Sequence, residues 1–315
     1  MKKLIRVFFV VFIFPMIFAL SYYKENEEAT KVEEEPLSVT TNIELPKVNL
    51  TKEFKSYWYS GEAEITSYKL EQARYGEIRD GHSVLIYVTE PFLEDVQVKA
   101  DRSNNDNVSV LKLNSTKKYL TGIYPYSIMS STFYPVYDNK HAMKISTSVQ
   151  EWCGHIYSQL NNRESFEIKS HSYFEGEADQ ELNLPKDWLE NEIWTKIRIN
   201  PQGLPTGNIK MIPSFEYIRT GHKEFKAYQA TTSLVENDGT STYTIEYGNL
   251  NRTISIDFTT AFPHSIEGWT ESFSSGFGAN ATTMTSRASK MKVLKTPYWR
   301  QNGTDDEVLR KELGL

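Results

Sequence analysis

From residue 54 onward the hydrophobic positions fall in short alternating runs cut by turn residues, the period-two pattern of half-buried strands. Residues 83–89 read SVLIYVT, rich in β-branched and aromatic side chains, and predict a strand. Asp80-Gly81 just ahead of it reads as the hairpin turn that feeds it. Further strands are predicted over 108–113, 143–149, 152–160, 166–174, 225–235, 241–247 and 253–259. Asp238-Gly239 and Gly248-Asn249 separate the last three, which form an antiparallel meander. Two segments change period. After Pro185, a residue favoured in a first helical turn, Leu189, Ile193 and Ile197 recur four apart, and Asn200-Pro201 ends the helix. Near the end of the chain, Thr304 and Glu307 have capping-box spacing, Val308, Leu309 and Leu313 supply an apolar side, and Gly314 closes it. The expected fold is mainly β: a large, curved antiparallel sheet or open barrel with one or two packed helices. The body, 54–315, has possible halves at 54–183 and 199–315 around the helix at 185–198.

The first residues follow a different rule. Lys2, Lys3 and Arg6 precede an unbroken apolar run from 7 to 20. That length suits a signal peptide better than a membrane-spanning helix, which needs about 20 residues. Ala19 and Ser21 are small enough for cleavage before Tyr22, so 1–21 is read as an export signal, with a retained membrane anchor as the alternative. Residues 22–53 carry Glu25, Glu27, Glu28, Glu33, Glu34 and Glu35, with few core-forming side chains. This acidic segment is expected to be a flexible tether. The expected location is the periplasm or cell envelope.

Composition narrows the function classes. The net charge is −6 and no basic block follows the N-terminus, which argues against nucleic acid as a partner. The single cysteine, Cys153, cannot form an internal disulfide. It lies in STSVQEWCGHIYSQLNNR, between Glu151 and His155. If 149–160 is one strand, Trp152, Ile156 and Leu160 face the core, and Glu151, Cys153, His155, Tyr157 and Gln159 line the opposite side. Residues two apart on a strand are almost 7 Å apart, too far for a nucleophile and its base. Glu151 also supplies the wrong sign of charge for a thiolate. A polar cavity wall on the concave side of the sheet is the preferred reading. Arg74, Tyr75 and Glu77, in the charge-dense run QARYGEIR, and Arg163 at the end of the Cys153 strand are candidates for the same wall. The expected ligand is a lipid, a glycan or a peptide. An envelope enzyme using Cys/His or Glu/His chemistry, and a scaffold of an envelope complex, are the alternatives.

Other motifs add little. The six histidines are too far apart in sequence for a local metal signature, and no cofactor is expected. Gly276, Gly278 and Ala281 spell GxGxxA without a surrounding βαβ unit, which reads as a glycine-rich loop. Five tryptophans, Trp58, Trp152, Trp194, Trp269 and Trp299, read as core.

The runs WYSGEAEITSYKLEQARYGEIRDGHSVLIYVTEPF, GIYPYSIMSSTFYPV, STSVQEWCGHIYSQLNNR, SYFEGEAD and INPQGLPTGNIKMIPSFEY carry a resemblance. From Trp58 to Leu315 the chain resembles a group of exported, often lipid-anchored envelope proteins of Gram-negative bacteria that frequently bear the label "septum formation inhibitor Maf". The resemblance implies an envelope location and association with a membrane or a cell-division complex. True Maf proteins are α/β nucleotide pyrophosphatases with an SPRR-like motif near the start. This chain has no such motif, and it lacks the lipid-accepting cysteine of many relatives.

Overall fold

A computed structural model describes residues 48–315 apart from Asn139. The expected export signal and the tether up to residue 47 lie outside the described residues. Val48 and Leu50 already pack against the core, ahead of Phe54. Helix α1 (Lys52–Trp58) follows, with Thr51 capping the Phe54 amide and Phe54 and Trp58 turned inward.

The rest of the chain builds sixteen strands. β1 (Ala63–Arg74), β2 (Glu77–Leu93), β3 (Val98–Lys99), β4 (Val108–Thr121) and β5 (Tyr124–Pro135) come first. β6 (Lys144–Glu151), β7 (Gly154–Asn162), β8 (Phe166–Ser172), β9 (Gln180–Leu184) and β10 (Trp188–Leu189) follow. Helix α2 (Glu190–Ile199) then leads to β11 (Gly207–Ile212) and helix α3 (Phe215–Thr220). β12 (Tyr228–Asn237), β13 (Thr240–Tyr247), β14 (Arg252–Thr259), β15 (Ile266–Ser275) and β16 (Thr282–Thr296) precede a short final helix, α4 (Val308–Glu312).

All the strands belong to one sheet. Its order is β10-β11-β12-β13-β14-β15-β16-β1-β2-β4-β5-β6-β7-β8-β9, with β3 beside β2. Every pairing is antiparallel except β10 with β11. The two ends of the path do not pair with each other, so the sheet is open rather than a closed barrel. β1 and β16 join the N-terminal and C-terminal strands near the middle of the path. Inward side chains from strands along most of the path meet α2 in one core cluster, so the sheet curls around this helix.

The expected fold class is therefore found, with local corrections. Asp80-Gly81 is mid-strand in β2, and the hairpin turn is Tyr75-Gly76, both with positive φ. Gly81 is needed for another reason. A Cβ there would collide with the Lys118 carbonyl and the Tyr119 Cβ on β4. The predicted strand over 152–160 begins only at Gly154, because Trp152 and Cys153 make the turn between β6 and β7. α2 starts at Glu190 rather than at Pro185, because Trp188 and Leu189 first pair with Met211 and Ile212. Leu189, Ile193 and Ile197 do share the buried face. At the last helix, Asp306 rather than Glu307 reaches back, accepting from the Gly303 amide.

Candidate functional site

The interior is filled by α2, and the filling is ionic as well as apolar. Glu190 takes two hydrogen bonds from Arg252 at 2.6 and 2.7 Å and one from the Tyr247 hydroxyl at 2.9 Å. Glu192 accepts the Ala142 amide at 2.7 Å and lies 3.0 Å from His141 Nδ1. Lys196 donates to the Tyr134 hydroxyl at 2.9 Å. Arg198 grips Glu64 on β1 through two bonds of 2.7 Å and donates to the Pro263 carbonyl at 2.9 Å. Its guanidinium also lies over the rings of Trp58 and Tyr87. Acidic residues in the first turn and basic ones in the last suit the helix dipole. Burial pulls the Glu64 carboxyl up, but Arg198 and the Tyr57 hydroxyl outweigh it and hold its pKa below the ordinary value. Burial lowers the Lys196 ammonium to about 8, against the pull of Glu192 and Asp138.

Between α2, α3 and the inner sheet wall a cavity of about 60 Å³ remains. It is lined by Lys117, Glu216, Arg252 and Glu271, with Trp194 and Trp269 among the walls. Lys117 and Glu216 pair at 2.8 Å. A water needs roughly 10–15 Å³ by this kind of measure, whereas ligand pockets run to about 300–1,000 Å³. The inner cavity has room for a few waters. A lipid or a sugar does not fit.

The ligand-sized concavity is on the outside. A groove of about 380 Å³ lies between the outer face of β1, β2 and β16 and the C-terminal segment. Ile65 pairs with Ile86 on one side and Leu294 on the other, giving an apolar floor three strands wide. Leu309, Leu313 and Leu315 form the opposite wall, and Ser67 donates to the Leu313 carbonyl. Val84 continues the floor, and one pleat further on the same face comes His82, paired across the sheet with Lys118. Arg310 joins Lys118 as a second cation at that end, and Asp306 also lines the groove. Burial lowers the pKa of His82, and the charges of Lys118 and Arg310 push the same way. The geometry is that of an apolar trough with a polar end, where Lys118 and Arg310 outnumber Asp306.

The candidate residues named from sequence divide into two groups, neither of them in this groove. Arg74 and Tyr75 sit at the rim of the sheet, where Arg74 donates to the Thr220 carbonyl at 2.8 Å and to the Tyr126 hydroxyl at 3.1 Å. Glu151 and Cys153 are in the β6–β7 turn, with the Glu151 carboxylate accepting the Cys153 amide at 2.7 Å. Glu77 is exposed and paired with Arg79. His155, Tyr157 and Gln159 lie on the outer face of β7, while Ile156 and Leu160 point to the core. Arg163 is bonded to the Asp95 carbonyl and paired with Glu167. Of the set expected on a concave wall, Arg74 does line the inner cavity, while the other members lie on an outer face or at the rim. Trp152 and Trp299 are exposed rather than in the core. The groove residues show in the sequence as the alternation His82, Val84, Ile86, whose apolar members lie inside the predicted strand, but local pattern does not tell an outward face from an inward one.

Cys153 is exposed, and its hydrogen bond to Glu151, with the carboxylate charge, raises the thiol pKa. Among the described residues no group of three His, Cys, Asp or Glu side chains could hold a metal ion. Among the same residues no helix is long and apolar enough to cross a membrane.

No known protein family matches this chain, and no curated protein does. Two solved structures are similar in outline. One is a β-barrel-like protein of the domain of unknown function DUF1849 from Brucella abortus, at 8% identity and TM-score 0.38, covering 74% of this chain and 98% of that one. The other is a porin-like protein from Bacteroides uniformis, at 8% identity and TM-score 0.20, covering 72% of this chain and 95% of that one. No residue is carried over from either. The single antiparallel sheet gives no support to the Maf label, which belongs to an α/β fold.

Proposed function

We propose that the protein is a non-enzymatic binding protein of the cell envelope whose ligand is an amphipath with an anionic head and a short apolar chain. The outer groove carries this reading. Its floor of Ile65, Ile86, Leu294 and Val84 suits a hydrocarbon, and Lys118 and Arg310, with the neutral His82 ring as a hydrogen-bond donor, suit a carboxylate or phosphate. A glycan would leave the apolar floor unused, and the groove sits against the sheet face, not at an edge that a peptide strand could extend. The exported location is part of the proposal.

The test is native mass spectrometry of the protein recovered from its own cells, followed by titration of the delipidated chain with a medium-chain fatty acid. A retained amphipath, and a loss of affinity of about tenfold or more in Lys118→Ala/Arg310→Ala, are the expected results. A chain that carries nothing and shows no thermal shift with fatty acid or lysophospholipid overturns the reading. The enzyme alternative predicts rapid thiol labelling at neutral pH. The neighbouring Glu151 supports slow labelling instead, with Cys153→Ser complementing a deletion fully.

A further inference from the structure

The rim where Arg74 and Tyr75 lie is a second surface, separate from the groove. It is the end of the sheet reached by the β1–β2, β4–β5, β6–β7 and β15–β16 turns. Aromatic rings run around it in contact: Phe277 with Tyr75 at 5.4 Å, Tyr75 with Tyr126 at 6.4 Å, Tyr126 with Tyr124 at 6.1 Å, and Tyr124 with Trp152 at 6.3 Å. A Cβ on Gly154 would meet the Tyr173 ring, which brings the segment after β8 into the same rim. Ile123, Trp152, Tyr173 and Phe277 project from four separate loops, and each is more than two-thirds exposed.

Behind these tips lies Arg219 of α3, its side chain only 6% exposed. The guanidinium covers the Phe174 ring at 4.0 Å. Its Nε and Nη1 have no hydrogen-bond acceptor, and Arg74 Nε has none either. Glu177 is 3.6 Å from Arg219 Nη1, but its carboxylate already takes the Ser172 hydroxyl and His222 at 2.7 Å each. Glu151 is engaged by the Cys153 amide, and Asp179 by the Ser172 amide. Buried cationic donors without acceptors are costly. These nitrogens are sealed from solvent, so an anionic oxygen from outside reaches them only as the rim side chains part, and it then removes that cost.

We infer that this rim docks on a phospholipid surface, with Ile123, Trp152, Tyr173 and Phe277 entering the interfacial layer and Arg219, supported by Arg74, receiving a headgroup phosphate. Projecting side chains on separate loops suit a soft interface better than a rigid partner, whose surface would have to present four matching pockets. Tryptophan and tyrosine favour the headgroup level, and arginine donors match phosphate oxygens.

Cys153 makes the test local, because the only cysteine of the chain is exposed beside Trp152. The full chain, labelled there with an environment-sensitive dye, is mixed with phosphatidylethanolamine–phosphatidylglycerol vesicles. Blue-shifted emission, quenched by spin label at headgroup depth, is expected. Ile123→Ser/Tyr173→Ser/Phe277→Ser should raise the lipid concentration for half-response by roughly tenfold or more, since apolar area is no longer buried. These side chains are exposed, so the fold is retained. Vesicles of a phosphate-free galactolipid should give a weaker response, and Arg219→Gln should erase the difference. A dye that stays in water while the chain sediments with vesicles overturns the docking, since the N-terminal apolar segment then accounts for the attachment. An equal response on phosphate-free vesicles overturns the headgroup assignment. A rise in melting temperature with inorganic phosphate, without a vesicle response, identifies a soluble anion and overturns the membrane partner. None of these outcomes depends on fatty acid in the outer groove.

Discussion

The two faces of β1 are covered in opposite ways. On the inside, Glu64 meets Arg198 of a helix buried in charge and hydrogen bonds. On the outside, Ile65 meets leucines of a short C-terminal segment. Directional bonds fix the inner partner at a single position, and the remaining space is a few waters wide. Apart from ties such as the Ser67 bond to the Leu313 carbonyl, the outer cover rests on apolar contact, which is non-directional, and it leaves a trough the size of a small ligand. A curved sheet therefore need not keep its largest hollow on the concave side. Where the hollow is plugged by a helix with matched charges, the usable volume moves to the surface that a tail only partly covers.

The strongest way to break this contrast is to orphan an inner charge. Arg198→Met leaves Glu64 buried without its partner and should cost about 3–5 kcal/mol, read by urea unfolding. Adding Glu64→Leu should return much of that loss, because an apolar pair needs no counter-charge. A smaller effect comes from Lys196, whose folded pKa of about 8 lies below the ordinary lysine value of 10.5. Between these two pH values the unfolded chain keeps a proton that the folded protein has released, so stability rises with pH. Lys196→Met should remove roughly 2 kcal/mol of that rise between pH 8 and pH 10, measured as the difference between the two proteins. The outer cover should respond least. Leu313→Ala should cost about 1–2 kcal/mol and appear as faster amide exchange confined to 304–315. A global loss as large as that of Arg198→Met would erase the distinction between plug and cover.

Much of the scaffold was readable from local pattern. The period-two runs marked strands, and Leu189, Ile193 and Ile197 marked the buried face of α2. What pattern missed was long-range. Glu64 and Arg198 stand far apart in the chain, and nothing local pairs them. Dipeptide rules misplaced one hairpin, because Gly81 serves close strand approach, while Tyr75 takes up a left-handed conformation that such rules rarely assign to tyrosine. The strand expected over 149–160 is interrupted for a related reason. Glu151, Cys153 and His155 alternate as a strand would, but two residues of that run form a turn, which puts the Cys153 end at the rim.

The pairing of β1 with β16 has a consequence for biogenesis. The first long strand finds one of its neighbours only when almost the whole polypeptide has emerged, so the seam at the middle of the sheet must close late. Until then β1 offers an unpaired edge, a hazard for self-association during folding. A chaperone that shields this stretch would give its largest benefit to nascent chains, and little to the folded protein.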